Sequence, residues 1–428
     1  MKLTELGPFP GAPGYDKAAS LDESDPLRLH RDRYVHADPD LIYLDGNSLG
    51  RLPVDTIQSI ETTVHDQWGG ELIRAWNDGW WDLQLSLGDK LAPLLGAQPG
   101  EVVISDSTSV NLYKLALAAV IAAPRARDRI VTDDLNFPSD VYILDSVARQ
   151  TGRTLEIAES DGTNGPIARL TDLIDEHTAL VSLSHTTYQS GYTYDLAEVT
   201  RLAQETGAMM LWDCSHSVGA MPIDLGGADV DLAVGCTYKY LNGGPGSPAF
   251  LYVKAELQDQ LANPIAGWWS HAEPFALDLD YRPASGIRRF HTGTMPIISL
   301  AAIEAGIDDV LDASIDAIRA KSIALTEYLI EEYERSLQPL GFHIASPRDR
   351  NKRGSHISVR HREAWPINVA LIKEARVIPD FRAPDTIRLG LSPLYTRFVD
   401  VHTAVQRTAG VVKARIYEQY SDVVTTVT

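Results

Sequence analysis

The chain has 428 residues, of which 44% are apolar and 22% charged, so it is long enough for roughly two to three domains and is neither fibrous nor of low complexity. Its 58 acidic and 38 basic residues give a net charge of −20, which disfavours nucleic acid as a partner. Two cysteines, Cys214 and Cys236, are too few for a disulfide framework or a structural zinc site. Without a signal sequence or a long apolar run, we expect a cytoplasmic protein with no membrane partner.

Residues 1–56, rich in Pro, Asp and short polar turns, are predicted to form an N-terminal arm with a helix near Ser24–Tyr34 and an extended segment at Leu41–Leu44. In residues 57–305, short apolar runs alternate with amphipathic helical patterns, which is typical of an α/β domain with a mostly parallel sheet. Ligands bind such sheets at the carboxyl ends of the strands. The predicted strands are Val102–Ser105, Arg129–Thr132, Ala179–Ser184, Ala208–Trp212, Leu232–Gly235 and Ala249–Val253.

Residues 306–428 are predicted to form a smaller C-terminal domain of the α+β type. Helical patterns at Ser299–Leu311 and Ser314–Leu337 lead into it, and alternating stretches at His356–Arg360 and Ile387–Leu391 predict strands. We therefore expect a large domain beside a small one.

Lys239 and Asp213 are the residues that indicate chemistry most clearly. Lys239 follows a short apolar strand and precedes the glycine-rich turn Asn242–Gly246, and Asp213 ends the strand Ala208–Trp212, with His216 close behind. A buried carboxylate needs a partner, and the protonated ring nitrogen of pyridoxal phosphate (PLP) supplies one. The pair indicates a pyridinium anchor and a Schiff-base lysine. The alternative interpretations are a surface lysine beside a tight turn and a helix N-cap aspartate.

Hydroxyl residues lie between the strand Val102–Ser105 and the apolar helix that follows it. Because helix N-termini bind phosphate through free N–H groups and the helix dipole, Thr108 and Ser109 are candidate phosphate ligands. Simple N-capping is the alternative. Phe137 precedes Pro138 in a turn and is a candidate for stacking on an aromatic cofactor, or else a core residue. Asn47 lies in a glycine-flanked turn, which predicts either close approach to a substrate or an ordinary turn.

Arg388 lies inside the apolar stretch Ile387–Leu391, so its guanidinium is a candidate for bidentate binding of a substrate carboxylate, with snorkelling as the alternative. Tryptophans at two places in the chain either line a pocket for an aromatic substrate or form core: Trp76, Trp80, Trp81, Trp268 and Trp269. No set of histidines and cysteines has metal-ligand spacing, so no metal is expected.

These motifs coincide with those of a known family. Nearly the whole chain resembles kynureninase, which has the aspartate-aminotransferase fold (fold type I) of PLP enzymes, and it is most similar to the bacterial branch. The matching segments are YLDGNSLG at 43–50, LIRAWN at 72–77, TSVNL at 108–112, FPSD at 137–140, CTYKYLNGGPG at 236–246, GTMPI at 293–297, KRGSH at 352–356 and SPLY at 392–395.

The resemblance implies a role for each matching residue. Lys239 would form the Schiff base with PLP, Asp213 would pair with the pyridinium, and Phe137 would lie on the ring. The remaining cofactor contacts implied are Thr108, Ser109, Tyr238, Ser139, Asp140, Ser184 and His216, with Trp268 and Thr294 reaching across the interface of a homodimer. The implied substrate contacts are Asn47, Trp76 and Arg388, of which Arg388 would hold the α-carboxylate and Trp76 would lie near the aryl group.

The activity implied is hydrolysis of L-kynurenine or 3-hydroxykynurenine to L-alanine and anthranilate or 3-hydroxyanthranilate, in tryptophan degradation. Lys239 would act as the base at the α-carbon, and Tyr238 would donate and accept a proton during the carbonyl steps. The same residues also suit an aminotransferase, a β-lyase or an enzyme that cleaves a modified kynurenine, and a catalytically silent binding protein is a further alternative. A cysteine desulfurase is excluded, because both cysteines lie at strand ends.

The chain departs from the bacterial pattern at a few positions. His291 and Thr292 stand where less polar residues are usual, Trp269 and Ser270 stand where Phe and Gly are usual, and the residues that follow Asp213 are not apolar. These departures leave the reaction class unchanged but leave open which ring substituents the substrate carries.

Overall fold

The computed structural model describes residues 11–421. Its strands are β1 Ile42–Tyr43, β2 Val102–Ile104, β3 Arg129–Asp133, β4 Thr154–Ala158, β5 Thr178–Ser184, β6 Met209–Asp213, β7 Leu232–Gly235, β8 Phe250–Val253, β9 His343–Ile344, β10 His356–Arg360, β11 Val377–Ile378, β12 Asp380–Arg382 and β13 Thr386–Gly390. The α-helices are α1 Tyr15–Glu23, α2 Val54–Thr62, α3 Leu83–Leu91, α4 Thr108–Ala122, α5 Pro138–Thr151, α6 Ile167–Leu173, α7 Leu196–Glu205, α8 Ala255–Gln258, α9 Ile297–Ala301, α10 Glu304–Ala313, α11 Ile315–Ser336, α12 Ala364–Glu374 and α13 Phe398–Lys413.

Shorter helical segments connect these elements. A π-helical segment, Thr63–Glu71, continues α2. The 3₁₀ helices are Arg28–Arg33, Leu72–Trp76, Ala92–Leu95, Trp268–Ser270, Pro274–Ala276, Gly286–Phe290, Gln338–Leu340, Arg350–Lys352 and Ile416–Tyr420. No helix within residues 11–421 is long and apolar enough to cross a membrane.

A seven-stranded sheet forms the centre of the large domain. Its strand order is β2-β8-β7-β6-β5-β3-β4, and all neighbours are parallel except β8, which runs antiparallel to both β2 and β7. The inner strands β5, β7 and β8 are buried at every residue, as expected for a sheet covered by helices on both faces. The mostly parallel sheet predicted from the sequence is thus present, with all six predicted strands in place.

The edge strand β4 was not among the predicted strands. Its residues Thr154–Ala158 pair only with β3, and most of them are partly or fully exposed. An edge strand therefore lacks the continuous apolar run by which the inner strands are recognised.

The C-terminal part of the chain contains a four-stranded antiparallel sheet in the order β12-β13-β10-β9. Helices α11, α12 and α13 share a hydrophobic core with this sheet, which includes Leu325, Ile367, Ile387 and Val405. The arm residues Ile42 and Leu44 belong to the same core, because β1 pairs with β11. The arm thus packs on the C-terminal sheet, whereas the domain boundaries at residues 56 and 305 stay a prediction.

The predicted helix at Ser24–Tyr34 is wrong in position. The α-helix of the arm is α1, which ends at Glu23, and a short 3₁₀ helix, Arg28–Arg33, follows after a break. Pro26 lies in the break, and a proline disfavours helical backbone at the residue before it. Residues 24–34 therefore contain only the short 3₁₀ helix Arg28–Arg33, and the α-helix of the arm lies before them.

Candidate active site

The candidate site is a cavity of about 190 Å³ at the carboxyl ends of the central strands. The arm, the large domain and the C-terminal sheet all contribute to its wall. It is lined by Asn47, Ser48, Thr108, Ser109, Phe137, Ser139, Asp140, Tyr188, Asp213, Ser215, His216, Tyr238, Lys239, Arg382 and Arg388.

Lys239 and Asp213 enter the cavity from two adjacent strands. Asp213 is the last residue of β6, which pairs in parallel with β7, and Lys239 lies in the turn that follows β7. Gly50 of the arm packs on this turn, where its N–H donates to the Tyr238 carbonyl at 2.8 Å. A Cβ at position 50 would lie 2.3 Å from the Lys239 carbonyl oxygen, so only glycine allows this close approach.

The lysine side chain points at a histidine. Lys239 Nζ lies 3.2 Å from Nε2 and 3.5 Å from Nδ1 of His216. Burial and then the charge of Lys239 lower the pKa of His216 well below its usual range, so this imidazole is neutral and can accept a hydrogen bond from the ammonium group. A second buried histidine, His356, packs near it with ring centroids 6.0 Å apart, and burial lowers the pKa of His356 to about 3.

Two carboxylates, Asp140 and Asp213, also line the cavity. Asp140, in the first turn of α5, contacts Asp213, whose Oδ1 accepts the backbone N–H of Ser215 at 2.8 Å. Burial, followed by the charge of Asp213, raises the pKa of Asp140 well above its usual range. Asp140 is therefore the member of the pair that holds a proton more readily, and it can donate that proton in a hydrogen bond to Asp213.

The N-terminus of α4 presents hydroxyl groups to the cavity. Ser107 caps this helix by accepting the Val110 N–H, so Thr108 and Ser109 are not needed as caps. Thr108 Oγ1 is buried without a hydrogen-bond partner among the described residues. Ser109 Oγ and Ser139 Oγ lie 3.1 Å apart. Free donors at the start of a 15-residue helix form an anion site.

Asn47 and Arg388 meet on the side of the cavity formed by the C-terminal sheet. Asn47 is fully buried, and its side-chain amide has no hydrogen-bond partner within residues 11–421, so it is free to bind a ligand. Arg388 is 1% exposed and forms a buried ion pair with Asp380 of the neighbouring strand β12. Burial lowers the pKa of Arg388, although a guanidinium keeps its charge.

Some predicted site residues do not line the cavity. Ser184 is buried beside Asp213 in the register of β5 and β6, with its N–H bonded to Asn136. Thr294 is exposed, and Trp268 is 41% exposed, as side chains that contact a second subunit would be in one chain alone. Trp76 lies in an aromatic cluster, defined here as Trp76, Trp80, Trp81, Trp268, Trp269 and Phe275. The roles assigned to these residues stay predictions.

The cavity also includes residues that the sequence interpretation missed. Ser48 and Ser215 each adjoin a residue that was singled out, and reading the whole turn as part of the site would have found them. Tyr188 lies four residues after β5, as Thr108 lies four residues after β2, so attention to every strand end would have found it. Arg382 comes from the C-terminal sheet, and only the folding of distant segments brings it to the site.

The aromatic cluster is built around Trp269, which is 1% exposed. Its ring stacks on Trp81 at a centroid distance of 4.2 Å, and it contacts Trp76 at 5.2 Å and Trp268 at 4.7 Å. Tryptophan at position 269 therefore supports both Trp76 and Trp268.

Comparison with known proteins identifies the family. Residues 318–408 match a family model described as the kynureninase C-terminal domain. The chain is 43% identical over 393 residues to a kynureninase of Pseudomonas fluorescens, an alignment that covers 90% of this chain and 92% of that protein. The chain belongs to the kynureninase family. A kynureninase of Burkholderia pseudomallei is likewise 43% identical, over 91% of this chain and 94% of its own length.

Solved structures share the fold of this kynureninase-family chain. A cysteine desulfurase of Escherichia coli superposes with a TM-score of 0.78 at 18% identity, covering 91% of this chain and 98% of that one. A cysteine desulfurase of Thermococcus onnurineus gives a TM-score of 0.76 at 21% identity, covering 87% and 95%. At such identities the likeness concerns the fold alone. The chain thus has the fold type I architecture of PLP enzymes that the sequence predicted.

Proposed function

We propose that this protein is a PLP-dependent hydrolase that converts L-kynurenine to anthranilate and L-alanine in tryptophan degradation. One observation carries the proposal: a chain that matches kynureninases over nine-tenths of its length brings Lys239, Asp213 and the hydroxyls of α4 into one cavity. Aminotransferases and β-lyases also use a lysine and an aspartate of this kind, but the family relationship favours hydrolysis.

The residues of the cavity fit PLP. The unpartnered Thr108 hydroxyl and the start of α4 suit its phosphate, and the Asp213 carboxyl at the end of β6 suits its pyridinium nitrogen. Phe137 lines the same cavity and is 42% exposed, which leaves a ring face free to pack on the cofactor. Lys239 Nζ faces the cavity, where it would bond the cofactor aldehyde.

When bound, PLP supplies an electron sink for the substrate α-carbon. Lys239 Nζ removes the proton from that carbon, and the neutral His216 beside it accepts a hydrogen bond from the lysine without competing for the proton. Tyr238 is the candidate donor and acceptor at the substrate carbonyl. The adjacent Cys236 thiol, followed by burial, raises the pKa of Tyr238, so its phenol keeps the proton that it must donate. Asn47 and Arg388 lie on the side where they would orient the amino acid.

We further propose that the protein is a cytoplasmic homodimer. Large apolar side chains are exposed beside a second cavity of about 440 Å³ that is lined by Trp68, Trp80 and Ile298 among others. Trp68 is 57% exposed, and Leu72 and Ile73, which follow it closely along the chain but do not line the cavity, are 59% and 76% exposed. A patch of this kind marks an interaction surface, and a second copy seated there would let Trp268 and Thr294 reach the partner's site.

The activity is tested by anthranilate fluorescence after the PLP-loaded protein is mixed with L-kynurenine, and in parallel with 3-hydroxykynurenine. The expected result is anthranilate with an equal amount of L-alanine. A Lys239→Ala variant should lose the activity, whereas Lys373→Ala, at an exposed position on α12, should keep it. An α-keto acid in place of alanine would indicate an aminotransferase, and the absence of both products would overturn the proposal. The rates measured with L-kynurenine and with 3-hydroxykynurenine show which of the two substrates the protein prefers.

A further inference from the structure

The guanidinium of Arg388 is already engaged by the protein. Its Nε donates to Asp380 Oδ2 at 2.6 Å, and its Nη2 donates to the same oxygen and to Ser48 Oγ at 3.0 Å. Its Nη1 donates to the Tyr188 carbonyl at 2.6 Å. An arginine has five N–H donors, so these four bonds leave Arg388 with a single N–H on Nη1. Bidentate binding of a substrate carboxylate needs two.

A second guanidinium lines the same cavity. Arg382, at the end of β12, has a side chain that is 36% exposed, and its Nη2 lies 3.0 Å from Asp380 Oδ2. Its Nε is buried and has no hydrogen-bond partner among the described residues. Arg382 and Arg388 both contact the same oxygen of Asp380. Their guanidinium groups are therefore close enough for a single ligand carboxylate to contact both.

The charges on this side of the cavity favour an anion. Asp380 faces two guanidinium groups, so it cannot neutralise both. Asp45 lies nearby, but burial and the charge of Asp380 raise its pKa to about 7, so it is only partly ionised at neutral pH. Tyr188 contributes a carbonyl, and the neighbouring histidines are neutral. Because Asp45 is only partly ionised, net positive charge remains on this side of the cavity to be balanced by a ligand.

We propose that Arg382, together with the one unengaged N–H of Arg388, binds the α-carboxylate of the amino-acid substrate. The inference rests on the proposed function and adds a residue to it. Arg382 supplies the partly exposed half of the carboxylate site, and Arg388, held by Asp380, Ser48 and Tyr188, supplies the buried half.

The test compares two amines that differ by a carboxylate. L-Alanine and ethylamine are titrated into the PLP-loaded protein, and binding is followed by the change in the visible absorption of the cofactor. We expect Arg382→Gln to weaken L-alanine binding by about tenfold to a hundredfold, the loss typical of a hydrogen bond to a charged group, and to leave ethylamine binding unchanged. Arg382→Lys should weaken L-alanine binding less than Arg382→Gln does, because lysine keeps the positive charge although it lacks the planar guanidinium group. Arg362→Gln, whose side chain is 86% exposed, is the matched control.

An indirect effect through Asp380 is distinguished by a double variant. If Arg382 serves only to neutralise Asp380, adding Arg382→Gln to an Asp380→Asn background should cost nothing, and the proposal would be wrong. The proposal expects the loss of L-alanine binding to persist in that background. Equal losses for both amines, or a wild-type protein that does not prefer L-alanine, would also overturn it. Failure of the proposed function is a separate result, since a wild-type protein can bind L-alanine selectively and yet release no anthranilate.

Discussion

Lys239 Nζ and His216 Nε2 lie 3.2 Å apart, which places a lysine that must lose and regain protons against an imidazole that is neutral. The histidine is fully enclosed at the end of β6, and the positive charge of Lys239 adds to the effect of burial on its pKa. His216 therefore acts as a fixed hydrogen-bond acceptor for the lysine, and it is not a second acid or base in the site.

Replacing His216 by phenylalanine should lower kcat/KM by about tenfold to a hundredfold, because the lysine loses a hydrogen bond to a charged group. Since His216 does not titrate near neutral pH, the shape of the kcat/KM profile between about pH 6 and pH 9 should not change. The measurement is anthranilate release against pH. His65→Phe, at an exposed position, is the control. An acid limb that disappears in the His216 variant would show that the imidazole does titrate.

The contact between Asp140 and Asp213 predicts unequal effects of two similar substitutions. Because Asp140 is the protonated member of the pair, Asp140→Asn replaces one hydrogen-bond donor by another and should change PLP affinity by less than about threefold. Asp213→Asn removes the charge that faces the pyridinium, and PLP affinity should fall by about a hundredfold. Absorption of the protein after dialysis against PLP-free buffer measures the retention of the cofactor. The reverse order would assign the proton to Asp213.

The sequence was most informative where burial is uniform along an element. The inner strands are continuous apolar runs, and α4 is apolar on nearly every face because it lies against the sheet, so both patterns predicted the elements closely. The edge strand β4 and the arm helix α1 lack such a pattern, since their burial depends on what packs on one side only. The pairing of β1 with β11 joins residues more than 300 positions apart, and no local pattern encodes it.

The residues of the site likewise divide into those that a local sequence pattern predicts and those that it does not. Lys239, Asp213 and Thr108 each follow a strand, and the rule that strand ends meet at one edge of a parallel sheet was enough to bring them together. Arg382 could not be found in this way, because it reaches the cavity from the C-terminal sheet. The protonation of Asp140 likewise depends on a contact between α5 and β6 that the sequence does not contain.

The proposed homodimer predicts that one charge in the exposed patch separates the subunits. The apolar side chain of Ile73 is 76% exposed in the single chain. Ile73→Asp replaces it by a carboxylate, and burying that charge in a subunit interface is unfavourable. Sedimentation velocity should show a dimer for the wild type and a monomer for the variant, and PLP retention should fall if Trp268 and Thr294 complete the partner's site. Leu29→Asp, at a side chain 68% exposed elsewhere, should stay dimeric. A wild-type monomer would contradict the proposal.

The buried His291 predicts how stability depends on pH. It is 1% exposed, and neither ring nitrogen has a hydrogen-bond partner within the described part of the chain. Burial, with the nearby charges of Lys114 and Arg288, lowers its pKa to about 3. An unfolded histidine binds a proton near pH 6.5, so below that pH the unfolded chain holds more protons than the folded one and stability falls. At pH 5 the loss from this one residue is about 2 kcal/mol.

His291→Leu should therefore stabilise the protein at pH 7 by about 1–3 kcal/mol, because two unpaired polar atoms leave the interior. It should also reduce the fall in stability between pH 7 and pH 5 by about 2 kcal/mol, because the residue no longer titrates in the unfolded chain. Urea unfolding at both pH values measures both effects. His65→Leu removes an exposed histidine instead of a buried one, so its curve should keep the wild-type pH dependence. If His291→Leu were as acid-sensitive as the wild type, the imidazole must bind its proton in the folded protein, and Asp106 is the carboxylate near enough to hold it there.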